Sequence, residues 1–125
     1  MLTDTTFWID LARERAQDQC GPASAFLAQN RAHTLEVSII TWGELAVGFD
    51  SPERVNRWLR QVRVLLLHAH VAWEASRIER HLARAGARLG ENDNWIAATA
   101  RAWGLRLVSR DGAFDRVPDL HRVPY

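Results

Sequence analysis

The sequence predicts an α/β fold, a three-layer sandwich in which a central, mainly parallel sheet of four to five strands is flanked by helices. This prediction follows from short runs of aliphatic and β-branched residues that alternate with longer segments whose apolar residues recur at helical spacing. No repeat, linker or low-complexity segment interrupts the 125 residues. Residues 1–125 are therefore expected to form a single domain, large enough to bury a core without disulfides or structural metal.

The first half of the chain is predicted to contain two strands and four helices. A brief buried strand ends at Asp4, and a threonine is expected to cap the helix that follows. A second helix begins after Gly21-Pro22, since proline is favoured in a first helical turn. The β-branched run 35–40 is the next strand. Two further helices then follow, over residues 41–48 and from Ser51-Pro52.

The second half is predicted to contain three strands and two helices. The first of these helices, residues 70–85, has Val71, Ala75, Ile78 and Leu82 at helical spacing. The other begins at Asn92-Asp93 and stops at Gly104, a residue favoured just past a helix end. The three strands are residues 64–67, 105–108 and 120–123.

Four acidic residues are predicted to meet at one edge of the sheet. In an open α/β sheet, the carboxyl ends of strands and the amino ends of the neighbouring helices lie on the same edge. Asp4 and Asp111 follow predicted strands, whereas Glu44 and Asp93 lie near helix starts. Each also has a purely structural interpretation: Asp4 and Asp93 as helix-start acids, Thr41-x-x-Glu44 as a capping box, and Asp111-Gly112 as a turn.

Four converging carboxylates would repel one another, and divalent cations would relieve that repulsion. Carboxylate oxygens suit Mg²⁺ or Mn²⁺, whereas the lack of paired cysteines and of an HExxH motif argues against zinc. Two such ions about 4 Å apart can activate a water and stabilise both oxygens of a phosphodiester displacement. The acids therefore indicate hydrolysis by a two-metal-ion mechanism.

Four segments of the chain resemble motifs of one family. Asp4-Thr5-Thr6 is similar to its opening motif, and Ser38 through Glu44 to the segment that carries its second acid. Asn92-Asp93 with Ile96-Ala97-Ala98-Thr99-Ala100 resembles its acidic helix, and Leu107 through Asp111, with Phe114 and Pro118, its closing loop. The family is that of PIN domains, and within it the VapC-type toxins. The resemblance spans nearly the whole chain.

The resemblance implies a divalent-metal-dependent endoribonuclease, the toxin of a type II (VapBC-like) toxin–antitoxin system. With a metal-activated water as the nucleophile, cleavage of RNA would leave a 5′-phosphate and a 3′-hydroxyl. It further implies a cognate antitoxin as partner and a homodimer. Asp4, Glu44, Asp93 and Asp111 would be the catalytic metal ligands, with Thr6 as a hydroxyl neighbour that orients a carboxylate or phosphate. Asp119 stands where the family has glycine. Asp115 is either an auxiliary ligand or, as we favour, a surface acid.

Charge and composition leave several alternatives open. All sixteen basic residues are arginine, and the exposed series Arg77, Arg80, Arg84 and Arg88 could contact RNA, an acidic antitoxin segment or only solvent. We favour RNA.

Two other functions remain open. His68 and His70 could drive metal-independent cleavage of RNA, or the chain could be a binding module whose acids only cap helices. Most of the six tryptophans are expected in the core or a dimer interface.

The free thiol of Cys20 and the lack of a signal peptide or an uninterrupted apolar run long enough to span a bilayer predict a cytoplasmic protein without membrane contact.

Overall fold

A fully parallel, five-stranded sheet lies at the centre of the computed structural model, which describes residues 1–125. The strands are β1 (Leu2–Thr3), β2 (Glu36–Ser38), β3 (Arg63–Leu65), β4 (Leu107–Val108) and β5 (Arg122–Val123). Their order is β3-β2-β1-β4-β5, which places the first strand in the middle of the sheet. The predicted α/β class and parallel sheet are confirmed.

Six α-helices connect the strands, and every predicted helix is present. They are α1 (Thr5–Ala16), α2 (Pro22–Gln29), α3 (Ile39–Ala46), α4 (Pro52–Trp58), α5 (Ala69–Arg84) and α6 (Glu91–Ala102). A 3₁₀ turn (Gly112–Arg116) separates β4 from β5. No helix combines the length and apolar character needed to cross a membrane.

Two separate hydrophobic cores, one on each face of the sheet, give the fold its three layers. One contains Leu107 together with α5 and α6 residues such as Ile78 and Ile96. The other contains the next residue, Val108, with Phe7 of α1 and further residues of α1–α4. Consecutive strand residues point to opposite faces, so a two-residue strand is sufficient to bind both layers together.

Two predicted helix starts are wrong, for the same physical reason. β2 ends at Ser38, whose hydroxyl accepts a 3.0 Å hydrogen bond from the Thr41 backbone N–H and caps α3. Residues 39 and 40 are therefore helical, and the predicted capping box of Thr41 with Glu44 does not form. Asp4, not a threonine, caps α1 by accepting from the Phe7 N–H at 2.9 Å. In both cases a polar side chain at the strand end supplies the acceptor that the first turn needs.

Asp119, which stands at the family's glycine position, keeps a glycine-like backbone. Its φ is +59°, in the left-handed region that disfavours most side chains but that aspartate tolerates better than most. The chain can therefore turn into β5 as it would with glycine, at a cost in conformational energy.

Candidate active site at the carboxyl edge of the sheet

The four predicted acids lie on four different elements at one edge of the sheet. Asp4 follows β1, and Asp111 follows the adjacent strand β4. Glu44 is in α3, and Asp93 is in the first turn of α6. The parallel topology brings residues more than a hundred positions apart in the chain to the same place.

Asp4 is the most buried of the four, with 4% of its surface exposed. One carboxylate oxygen accepts from the Phe7 N–H, and the other from the hydroxyl of Ser109. No arginine pairs with it in the structure. Burial raises the pKa of Asp4 above its ordinary value, and the negative charge of Asp93 raises it further.

Asp93 connects the four acids electrostatically. Burial raises its pKa, and the neighbouring charges of Asp111 and then Glu44 add to the shift. Since Asp93 also raises the pKa of Asp4, it is coupled to all three of the other acids. Gly90 adjoins this carboxylate: a Cβ added at Gly90 would lie 3.3 Å from Oδ2 of Asp93. The absence of a side chain there leaves open space beside the central acid.

Glu44 is held by neutral donors. Its Oε2 accepts from the hydroxyl of Thr5, and its Oε1 accepts from the Asn92 side-chain amide at 2.8 Å. Thr6, the predicted hydroxyl neighbour, makes no hydrogen bond to any of the four acids. The hydroxyl that orients a carboxylate therefore belongs to Thr5, one residue earlier.

The loop of Asp111 is fixed from two sides. Ser109, which donates to Asp4, also accepts from the Asp111 N–H at 3.0 Å, while Oδ1 of Asp111 accepts from the Ala113 N–H at 2.7 Å. On the other side, Arg110 contacts Asp10 of α1 at 2.9 Å, and the hydroxyl of Tyr125 donates to the same oxygen. A single network thus links the loop, α1 and residue 125.

Asp115 has a structural partner of its own. Both of its carboxylate oxygens accept from Arg122, at 2.8 and 2.7 Å. These hydrogen bonds hold the pKa of Asp115 below its ordinary value. Arg122 also donates to the Ser109 carbonyl at 3.0 Å. Asp115 therefore braces the loop through Arg122, an arrangement that argues against a role as an auxiliary metal ligand.

The site fits a hard divalent cation in its donor chemistry. All four candidate ligands offer carboxylate oxygens, burial and the neighbouring acids raise the pKa values of Asp4 and Asp93, and Gly90 leaves room beside Asp93. As the side chains stand, no three acidic, histidine or cysteine residues are close enough together to ligate one ion. Glu44 and Asp111 are instead occupied by Thr5, Asn92 and the Ala113 N–H.

The alternative candidates lie on other surfaces. The rings of His68 and His70 stack at 6.4 Å, and His68 contacts Trp103. Neither histidine has a hydrogen bond or ion pair with the four acids. Trp73 and Trp103 are 57% and 41% exposed, so these two tryptophans are not in the core.

Most of the predicted arginine series has partners within the fold. Arg77 pairs with Glu74, Arg88 pairs with Glu79, and the Arg80 guanidinium lies 5.2 Å from the centre of the Trp73 ring. Arg84 has no ion-pair partner. Only one member of the series is therefore free of a partner.

Comparison with known proteins identifies the family. A family model for the PIN domain matches residues 1–120. This chain belongs to the PIN-domain family. Ribonuclease VapC4 from Mycobacterium tuberculosis is similar: it is 31% identical over 96 residues, which cover 70% of this chain and 74% of that protein. The family resemblance of the sequence motifs is confirmed.

Solved structures agree with the fold. DNA-bound VapBC from Salmonella typhimurium contains a chain with a TM-score of 0.81 at 24% identity, covering 98% of this PIN domain and 96% of its own length. A toxin–antitoxin complex from Klebsiella pneumoniae gives a TM-score of 0.68 at 26% identity, covering 95% and 93%.

The sequence predicted that the four acids lie at one edge of the sheet but did not indicate most of the side chains that hydrogen-bond to them. Ser109 was part of the closing motif, and Asn92 of the helix start, yet neither suggested a bond to a particular acid. The sequence also did not indicate that Thr5 donates to Glu44, because the choice between Thr5 and Thr6 depends on the orientation of the first turn of α1. Hydroxyl and amide partners across long sequence separations leave no periodic signal in one sequence.

Proposed function

We propose that this PIN domain is a divalent-metal-dependent endoribonuclease, the toxin of a toxin–antitoxin pair. The observation that carries the proposal is the placement of four acids from four elements at one edge of the sheet, where Asp93 interacts electrostatically with the other three and Asp4 has no cationic partner. Burying the Asp4 carboxylate without a cation costs folding free energy, which favours a role for it beyond capping α1. The ribonuclease relative and the toxin–antitoxin structures support the assignment.

Asp4, Glu44, Asp93 and Asp111 would hold Mg²⁺ or Mn²⁺, most simply as a pair of ions. Bound divalent cations would supply a water of lowered pKa and would stabilise the charge that develops on the phosphate. Ser109 and the Phe7 N–H fix both oxygens of Asp4, and Thr5 and Asn92 fix those of Glu44. These neutral donors orient the carboxylates without cancelling the charge that a cation requires.

A groove between α1, α3 and α4 would accept the antitoxin. Its volume is about 470 Å³, and its lining is mostly apolar, including Ile9, Leu45 and Phe49, together with Arg13 and Arg15. We assign it to the apolar face of an antitoxin helix. Ile9→Arg should prevent co-purification of co-expressed antitoxin, whereas Val47→Arg should not, because Val47 is 89% exposed and lies outside the groove. Equal capture by both variants would contradict this site.

A homodimer completes the proposal. Leu66 is 63% exposed and Leu67 39%, and they precede His68, which contacts the exposed Trp103. A partner copy would cover this apolar surface. Light scattering after size exclusion should therefore give twice the mass of one chain, and a mass of one chain would contradict the dimer.

The test of the activity is cleavage of a mixed RNA pool by antitoxin-free protein, with Mn²⁺ or Mg²⁺ against EDTA, and with product ends identified. We expect metal-dependent cuts that leave 5′-phosphates. Asp93→Asn, which keeps shape and removes the central charge, should lower cleavage by at least about a thousandfold while the circular dichroism melting curve still shows a folded protein.

Other outcomes separate the alternatives. Cleavage in EDTA with 2′,3′-cyclic phosphate ends would move the chemistry to His68 and His70. RNA binding without cleavage of any RNA, and without heat stabilisation by divalent ions, would leave a binding module whose acids only cap helices. Cleavage that Asp93→Asn retains would overturn the site assignment.

A further inference from the structure

A large cavity lies at the edge of the sheet opposite the acids. It has a volume of about 710 Å³, within the range of about 300–1,000 Å³ typical of ligand sites. Its walls come from α1, α2, residues 30–35 before β2 and residues 58–62 before β3. Because parallel strands start at the same edge, these two connecting segments place the cavity at the amino edge of the sheet.

The cavity has positive charge that the fold does not neutralise. Its fifteen lining residues include Arg15, Arg31, Arg60 and His33 but no aspartate or glutamate. None of the three arginines forms an ion pair. The neighbouring acid Glu14 is already occupied, since its carboxylate accepts from the Ala23 and Ser24 N–H groups. We call this site the arginine cavity. Its charge selects an anionic ligand.

The walls also provide stacking and hydrogen-bonding groups. Trp58 is half-buried, and the Arg15 guanidinium lies 5.1 Å from the centre of its ring. The side-chain amides of Asn30 and Gln61 line the same space. Guanidinium planes and indole rings are surfaces on which nucleobases stack, while arginine binds phosphate through paired N–H groups. The arginine charges, the Trp58 ring and the side-chain amides together match a nucleotide better than they match a ligand that carries only carboxylates.

We propose that the arginine cavity binds a single-stranded segment of the RNA substrate, away from the bond that is cut. The proposal rests on the proposed ribonuclease function for its choice of RNA as the anion. Arg15, Arg31 and Arg60 contact successive phosphates, and the Arg15–Trp58 pair receives a base. The cavity therefore anchors the substrate, and the acids act on a different part of it.

Helix α1 sets the distance between anchor and cut. It begins at the Asp4 cap and reaches Arg15 eleven residues later, a rise of about 16 Å at about 1.5 Å per residue. At about 3.4 Å per nucleotide of a stacked strand, that distance corresponds to roughly five nucleotides. Substrates with fewer than about five nucleotides on the relevant side of the cut should not reach the cavity and should lose its contribution.

The experiment measures RNA binding separately from cleavage. In an Asp93→Asn background with EDTA, fluorescence anisotropy follows a labelled 16-nucleotide oligouridylate as sodium chloride is raised. Arg15→Gln, Arg31→Gln and Arg60→Gln together should weaken binding at low salt at least about tenfold. The slope of log K against log salt should fall by about 2, since each lost single-strand phosphate contact removes about 0.7.

The matched control removes the same number of charges elsewhere. Arg54, Arg80 and Arg88 lie outside the cavity and have partners within the fold: Asp50, the Trp73 ring and Glu79. Their triple glutamine variant should keep the original salt slope. Equal losses in both triple variants would show a general charge effect and overturn the proposal. Circular dichroism checks that each variant is folded.

The remaining outcomes distinguish failure of the cavity proposal from failure of the proposed ribonuclease function. If wild-type protein cleaves RNA while the cavity variant keeps full affinity and slope, the arginine cavity is wrong and the ribonuclease function stands. If no RNA is cut but the cavity variant alone loses RNA affinity, the cavity stands and the ribonuclease function fails. If RNA affinity is unchanged and a 16-residue oligoglutamate binds in a way that the cavity variant abolishes, the ligand is an acidic protein segment, which overturns the RNA proposal.

Discussion

Asp4 and Glu74 are both buried carboxylates, exposed by 4% and 6%, but the structure surrounds them in opposite ways. Glu74 pairs with Arg101 at 2.7 Å and with Arg77 at 3.0 Å. Asp4 has a hydroxyl and a backbone N–H but no cation. Each carboxylate has hydrogen bonds, so the difference is one of charge compensation alone.

Under the proposed function, this difference separates a structural acid, Glu74, from a metal ligand, Asp4. The charge of Glu74 is balanced by the guanidinium groups of Arg101 and Arg77, so this ion cluster needs no partner from outside the chain. No cationic side chain balances the charge of Asp4, and burial raises the pKa of its carboxyl group. A bound metal ion would therefore interact more favourably with Asp4 than with Glu74, whose charge is already balanced.

The largest effect should come from removing Glu74. Arg101, whose side chain is only 9% exposed, would then be left as a buried charge without a partner. We expect Glu74→Ala to cost about 3–5 kcal/mol of unfolding free energy, measured by urea denaturation. Arg77, at 51% exposure, can find water, so Arg77→Ala should cost far less. A Glu74→Ala loss below about 1 kcal/mol would show that the pair is not structural.

Divalent ions should stabilise the folded chain by binding at the four candidate acids, and this stabilisation should not depend on Glu74. At a hundred times its dissociation constant, Mn²⁺ should add about 2.7 kcal/mol to the free energy of unfolding. The added stability should be present in Glu74→Ala and absent in Asp93→Asn. Thermal melts with and without Mn²⁺ would measure it, and an equal shift in Asp93→Asn would contradict the site.

The same melts should depend on pH in a defined direction. The folded-state pKa values of Asp4 and Asp93 are raised, so the metal-free folded chain holds their protons more tightly than the unfolded chain does. Their destabilising effect is absent below the unfolded pKa of about 3.8 and grows as pH rises through the folded pKa values. Because protons compete with the ion, the stabilisation by Mn²⁺ should increase as the pH rises from about 3.8 through the raised folded-state pKa values.

Asp4→Asn should have a smaller effect of the opposite sign to Glu74→Ala. Asparagine caps a helix as well as aspartate does, and it removes a buried charge that has no cation. We expect the metal-free variant to gain about 0.5–2 kcal/mol of unfolding free energy, with loss of metal-dependent cleavage. Chemical denaturation in EDTA would measure the gain, and destabilisation would show that Asp4 is mainly a structural cap.

The smallest effect on stability should come from Thr5→Val. The change removes the hydroxyl that donates to Glu44 and keeps the shape of the side chain. We expect at most about 1 kcal/mol of lost stability, but a clear drop in kcat at saturating metal. Thr6→Val is the matched control, since Thr6 has no bond to an acid, and an equal drop in both would contradict the assignment to Thr5.

Much of the fold, and the placement of the four acids at one edge of the sheet, could be predicted from the sequence, because strands, helix starts and the acids beside them carry local signals. Helical spacing located α5 to within a residue, and strand-then-acid patterns located Asp4 and Asp111. What the sequence could not supply depends on long-range geometry. The choice of Thr5 over Thr6, the Ser109 bridge and the pairing of Glu74 with Arg101 all join residues whose separation leaves no pattern.

The position of β1 in the middle of the sheet affects when the four acids come together during synthesis of the chain. Asp4 is among the first residues synthesised, but its strand pairs with β4, and its carboxylate meets Ser109 only after residue 109 has been added. Asp111 comes later still. A ribosome that has translated four-fifths of the message therefore carries a chain whose four acids have not yet come together. Under the proposed ribonuclease function, the growing chain would have no cleavage site until its synthesis is nearly complete.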